Sequence, residues 1–136
     1  MLQYQSIKIN LSTGEVKTEP ISGRVLTDFI GGRGFGAYYV YRDVPPGADP
    51  LGPENKLLLL AGPLAGVGSL STSRWMACTK SPLTGGYARA VGGADFGAWL
   101  RWAGYEFIEV EGKAEKPVGA WRRAGAFIHS HAWSGL

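Results

Sequence analysis

The sequence contains a single cysteine, Cys78, in 136 residues. One thiol cannot close an intramolecular disulfide, and alone it cannot hold a structural zinc or an iron–sulfur cluster, which take several sulfur or imidazole ligands. Within its apolar Met76-Ala77-Cys78 setting it reads as a small buried hydrophobe. Histidine is almost as scarce. His129 and His131 have no carboxylate pattern or nucleophile motif beside them, so both read as surface residues rather than catalytic bases. There is no basic run either: the excess of 14 Lys+Arg over 11 Asp+Glu leaves a net charge of +3, spread along the chain. Arg74-Trp75, Arg101-Trp102 and Trp121-Arg122-Arg123 do set cations beside aromatics, as nucleic-acid binders do. Without a concentrated charge this is weak support for a nucleic-acid partner. The longest strongly apolar stretch, residues 57–61, is far short of the roughly 18 residues of a membrane helix, and no secretory h-region or cleavage site opens the chain. The expectation is a cytoplasmic protein with neither membrane nor nucleic acid as partner.

Glycine, by contrast, is abundant: 21 of 136 residues, about twice its ordinary share. With 45% hydrophobic and 18% charged residues the chain should fold, and a domain of this size needs no disulfide or metal to build a core. The glycines sit among Arg, Thr, Ser and Pro, where a missing side chain lets backbone approach backbone or ligand.

Ile7, Ile9 and Leu11 alternate with polar residues, Ser12-Thr13-Gly14 interrupts, and Val16 and Thr18 resume the alternation, which predicts a β-hairpin. Ser22 is a candidate N-cap, with Ile21 and Leu26 as a staple pair, for one helix running to about Tyr41. Gly31, Gly32, Gly34 and Gly36 fall in its middle, so something must press closely on that face. Residues 43–53, with four prolines, read as a rigid loop. Residues 56–61 and 75–79 read as strands, and the segments 64–73 and 81–86 as loops that can offer free backbone N–H groups and hydroxyls to a ligand. Gly92 or Gly93 is expected to open a helix through Phe96, Trp99, Leu100 and Ala103, closed by Gly104. Phe107, Ile108 and Val110 form a strand, and residues 118–122 pair through Gly125 with 127–129. This is an α+β pattern rich in β-sheet, in one domain spanning residues 1–136.

Gly32-Arg33-Gly34-Phe35-Gly36-Ala37 formally fits the dinucleotide fingerprint, but it follows helix rather than strand, so helix packing is the better reading. No glycine precedes Lys-Ser or Lys-Thr, which excludes a P-loop. The stretch from Gly62 to Gly97 concentrates a different signal: Gly/Ser/Thr loops, the cation Arg74, and Gly92-Gly93 at an expected helix N-terminus. Such an arrangement suits a phosphate-bearing ligand, with Arg74 either gripping phosphate or stacking on a planar heterocycle. An ordinary surface ion pair for Arg74 is the competing reading.

Seven collinear segments, Ile9 to Gly14, Pro53 to Leu57, Ala61 to Leu64, Thr79 to Gly85, Phe96-Gly97-Ala98, Ala103-Gly104-Tyr105 and Glu111 to Val118, resemble the N-terminal domain of the tungsten-dependent aldehyde:ferredoxin oxidoreductase family. The resemblance implies a sheet-rich domain that forms the base for a tungsten (or molybdenum) bis-pyranopterin. It also implies an enzyme that oxidises aldehydes to carboxylic acids and passes electrons to ferredoxin. Carried over residue by residue, the family's pterin-contacting arginine is Arg74 and its glycine is Gly93, beside Gly92. The position whose backbone carbonyl helps hold a magnesium ion between the pterin phosphates is Val91, where the family has asparagine. The second pterin loop, the 4Fe-4S cysteines and the acid–base residues of the family do not occur here. The resemblance therefore implies a truncated piece or split subunit, incomplete at its C-terminal end and inactive without the remaining domains or subunits. Two alternatives stay open: a non-catalytic pterin- or subunit-binding module, and a sister tungsten or molybdenum enzyme acting on another carbonyl or thioester.

Overall fold

The structure, a computed structural model, describes residues 4–68, 72–123 and 126–131, from residue 120 onward by backbone alone. The opening hairpin forms as its alternation requires: β1 (Gln5–Asn10) pairs antiparallel with β2 (Glu15–Pro20). Ser22 caps α1 (Gly23–Phe29), its hydroxyl accepting from the Val25 amide, and Ile21 and Leu26 both pack into one core cluster.

The single helix expected over residues 22–41 is two helices. Ile30, Gly31 and Gly32 take φ values of 64°, 151° and 48°, which no α-helix accommodates, and α2 (Arg33–Asp43) starts afresh after them. The glycines break the helix where the sequence reading kept it continuous. The same break removes the dinucleotide fingerprint, since the element before Gly32 is α1 and not a strand.

The remaining described elements are β3 (Lys56–Ala61), β4 (Trp75–Lys80), β5 (Tyr87–Gly92), α3 (Phe96–Trp102), β6 (Tyr105–Glu111), β7 (Val118–Arg123) and β8 (Ala126–His131). Six strands form one mixed sheet in the order β2-β1-β6-β3-β4-β5, with β1 and β6 its parallel pair. β7 and β8 form a separate antiparallel hairpin, as expected from residues 118–129. Gly125 and residues 132–136 lie outside the described residues, as do the side chains of His129, His131 and the Trp121-Arg122-Arg123 cluster.

Strand alternation sends Leu58, Leu60, Cys78 and Phe107 to the face covered by α1 and α2, where Phe35 and Tyr39 meet them. Ile7, Ile9, Ala61 and Ile108 face the other way, against Leu100 of α3. Phe35 packs edge-on to Phe107 with centroids 6.1 Å apart. Cys78 is fully buried, the thiol pushed up from its ordinary value first by burial, and it accepts a hydrogen bond from the Tyr87 hydroxyl at 2.9 Å.

Gly36 shows what presses on the glycine-rich helix. A Cβ there would lie 2.5 Å from Cys78 Sγ and 2.8 Å from the Tyr87 hydroxyl, closer than real Cβ atoms come. Gly36→Ala is expected to gain about 1 kcal/mol of helix propensity and lose about 2–3 kcal/mol to overpacking, a net destabilisation. Adding Cys78→Ala, which deletes the sulfur in the way, should recover part of it. Urea unfolding of the parent, the single variants and the double variant checks this; a Gly36→Ala domain as stable as the parent would contradict the close approach.

Candidate functional site

Two family-like segments use their polar groups on the fold itself. Asn10 Oδ1 accepts from the Ser12 and Thr13 amides at 3.0 and 3.1 Å, and its Nδ2 donates to Glu111 Oε1 at 3.1 Å. Ser12 Oγ accepts from the Lys113 amide at 2.9 Å, so the Asn-Leu-Ser-Thr-Gly and Glu-Gly-Lys segments make one junction. The turn at residues 81–86 was expected to offer free donors, and it does not. The amides of Leu83 and Thr84 donate to Ser81 Oγ, that of Gly85 to Ser81 O and that of Gly86 to Thr84 Oγ1. The turn is a rigid hairpin between β4 and β5.

Gly92 and Gly93 do not stand at the mouth of a helix as expected. Neither opens a helix: Gly92 is the last residue of β5, paired with Trp75, and α3 begins only at Phe96 after Asp95. The apolar periodicity from Phe96 onward is genuine, but the run from Tyr87 to Gly92, with its alternating small residues, carries too little hydrophobic signal to announce a strand. On its Cβ side Gly92 has no open space, because a Cβ there would sit 2.5 Å from Trp75 Nε1. Its missing side chain makes space for the indole. Gly93 differs, since among the described residues nothing beyond its chain neighbours lies within 4 Å of where its Cβ would be.

The β4–β5 ladder ends at Trp75 and Gly92, so Arg74 and Gly93 are the next residues outward on the two strands. Arg74 is exposed, and among the described residues no carboxylate pairs with it, unlike Arg101, which is ion-paired with Glu106. Its main chain is held from below by α3, where a Cβ on Gly97 would come 2.7 Å from Ser73 O and 3.1 Å from Arg74 O. Only glycine lets the helix seat that close. Trp75 Nε1 donates to Gly93 O at 3.0 Å, and its ring meets Phe96 edge-on at 5.1 Å. Ala94 follows in a left-handed conformation, φ 60°, uncommon for a residue with a Cβ.

Val91 has an exposed side chain and lies on β5, the edge strand, where alternate carbonyls have no sheet partner. Among the described residues no group of three His, Cys, Asp or Glu could hold a metal ion. A magnesium ion at Val91 would therefore take its ligands chiefly from phosphate and water, as that ion commonly does. The chemistry of an exposed guanidinium at Arg74 and of open side-chain space at Gly93 is compatible with a phosphorylated ligand.

A sequence profile of the aldehyde ferredoxin oxidoreductase N-terminal domain matches residues 6–126. The chain belongs to this family. It is 47% identical over 112 residues to the tungsten-containing aldehyde ferredoxin oxidoreductase of Pyrococcus furiosus, a match covering 82% of this chain and 18% of that protein. It is 38% identical over 116 residues to the WOR-like subunit of an aliphatic sulfonate oxidoreductase from the same organism, with the same coverage of each. Its fold superposes with TM-score 0.89 and 27% identity on the active-site complex BamBC of benzoyl coenzyme A reductase, solved with 1,5-dienoyl-CoA, over 92% of this chain and 19% of that one. The chain thus spans less than a fifth of the length of these aldehyde ferredoxin oxidoreductase relatives. Among the described residues no helix is long and apolar enough to cross a membrane.

The sequence reading of Arg74 and Gly93 missed the indole between them. The sequence carries no signal for it, because Trp75 comes to lie opposite Gly92 only through the register of β5, a strand that the sequence does not announce.

Proposed function

We propose that this chain is the pterin-binding base of a tungsten-dependent aldehyde:ferredoxin oxidoreductase, active only together with the rest of the enzyme. The observation that carries the reading is an exposed guanidinium, Arg74, without a carboxylate partner among the described residues, next to a glycine whose side-chain space is open. Arg74 would hold a cofactor phosphate in a forked, charge-assisted contact, and Gly93 would let that group approach the backbone. The Val91 carbonyl would be this segment's ligand to a magnesium ion, whose charge would offset that of the cofactor phosphates. When bound, the metal dithiolene centre supplies the two-electron oxidation of an aldehyde to a carboxylic acid. The polypeptide supplies position and charge. On the α3 side of the sheet, β4 and β5 present the small side chains Ala77, Thr79, Ala88 and Ala90 next to the Trp75 indole.

Ferredoxin as electron acceptor, and a 4Fe-4S cluster to reach it, belong to the remaining domains or subunits in this reading. So does the choice of substrate, because relatives named for an aldehyde, a sulfonate and a coenzyme A thioester all share this fold or sequence.

In the complete enzyme, Arg74→Ala is expected to lower tungsten and pterin content about tenfold, the weight of one charge-assisted contact. Arg74→Lys, which keeps the charge but not the fork, should fall between the two. Equal tungsten and pterin occupancy in Arg74→Ala and parent would remove Arg74 from the site.

A further inference from the structure

We propose that Trp75 is a positioning residue for the cofactor, acting through the 91–94 segment rather than by touching the ligand. The proposal rests on the cofactor reading above and adds to it a part that neither the family likeness nor the sequence assigns.

Three observations converge on the indole. Its Nε1 donates to Gly93 O at 3.0 Å, which fixes the peptide joining Gly93 to Ala94. Its ring fills the space that a side chain on Gly92 would need, so the end of β5 is clamped from the face as well as from the carbonyl. Its edge contact with Phe96, at 5.1 Å, ties the same ring to the first residue of α3. Trp75 therefore joins β4, the end of β5 and α3, and it is covalently next to Arg74.

The segment it clamps has reason to need holding. Ala94 sits at φ 60°, a conformation that costs a residue with a Cβ about 1 kcal/mol or more. β5 is an edge strand, and among the described residues no strand pairs with its outer side. With the Gly93 carbonyl pinned to the indole, that peptide's orientation is set before a ligand arrives. Loss of the indole N–H leaves Gly93 free to rotate, and the ordering cost then falls on cofactor binding.

The discriminating variant is Trp75→Phe, which keeps an aromatic ring over Gly92 and removes only the donor. In the complete enzyme, pterin and tungsten retained per protein after prolonged dialysis should fall about three- to tenfold, one neutral hydrogen bond's worth. The cofactor-depleted protein should melt within about a degree of the parent, since this bond is solvent-exposed and its loss is made good by water. Gly92→Ala, which pushes the indole aside from the opposite strand, should reproduce the loss and decides the matter if Trp75→Phe does not accumulate. Unchanged retention in both variants, with retention lowered in Arg74→Ala, would overturn the role of Trp75 and leave the site standing. A parallel fall in retention and in the melting of cofactor-depleted protein would overturn it too, by making Trp75 a general packing residue. Unchanged retention in all three variants would overturn the site itself.

Discussion

Lys56→Met is expected to destabilise the domain by about 3–5 kcal/mol at neutral pH, the usual cost of removing one partner of a buried ion pair. Lys56 stands at the start of β3, opposite Glu111 of β6, with its ammonium ion-paired to Glu111 and 3.0 Å from Glu109 Oε1. The Glu109 side chain is only 5% exposed, and its other cation, Lys8 of β1, lies at 3.4 Å and is itself 28% exposed. Methionine matches the lysine stem and leaves both carboxylates facing Lys8 alone. The penalty comes from the stranded negative charge rather than from lost packing. The double variant Lys56→Met with Glu109→Leu should therefore recover most of the loss, and a double variant no better than the single one would show that the charge is not the cause.

The pH dependence has a definite sign. Burial pushes the Glu111 carboxyl up, but the hydrogen bond and charge of Lys56, with Lys8 and Asn10, outweigh it and hold the group below its ordinary value of 4.5. A carboxylate held low stabilises the native state fully above its unfolded value, and that contribution is lost as pH falls through the folded one. Burial likewise pulls Lys56 down, yet Glu111 and Glu109 outweigh it and raise it above 10.5. That contribution is complete below the unfolded value and disappears as pH rises through the folded one. The gap between parent and Lys56→Met, followed by urea unfolding across pH, should be widest through the neutral range. It should narrow below about pH 4.5 and again in strong alkali.

The parts of this molecule that the sequence made legible are those where side-chain period or a cap decides the conformation. The β1–β2 hairpin, the Ser22 cap, β3, β6 and the β7–β8 pairing follow from alternation and turn residues, which act over a few positions. The errors arose where glycine removed the side-chain signal and long-range contact took over. At Gly31 and Gly32 the apolar spacing ran on unbroken while the backbone reversed hand. At Gly36 and Gly97 the missing Cβ answers to Cys78 and to the Ser73–Arg74 main chain, partners dozens of residues away. β5 was invisible because every second residue in it is Ala or Gly and it sits at the sheet's edge. Its identification shows that an indole sits where a side chain on Gly92 would be. Arg74 was legible only as a cation in the right company. What separates it from Arg101 is the absence of a carboxylate partner among the described residues, and no sequence pattern states that.

The same distinction, between residues that serve a ligand and residues that serve the fold, predicts a large effect at a position with no part in the proposed site. Asn55→Ala should cost about 2–4 kcal/mol, because it strips partners from several half-buried backbone groups at once. The Asn55 amide donates to Pro50 O at 2.7 Å, Thr79 Oγ1 at 3.1 Å and Lys80 O at 3.2 Å. Its carbonyl accepts from the amides of Lys56 at 2.8 Å and Lys80 at 3.3 Å. One side chain thus fastens the proline-rich loop to the far end of β4 and starts β3 in register. Asn55→Asp keeps the two acceptances, loses the donors and sets a carboxylate against carbonyl oxygens, so it should be no better than alanine. In the complete enzyme the Asn55→Ala variant should lose thermal stability while the protein that remains folded carries its full tungsten and pterin, the reverse of what is expected for Trp75→Phe. A fold that tolerates Asn55→Ala with less than about 1 kcal/mol of loss would mean that water replaces these bonds, and that the loop is held by its prolines instead.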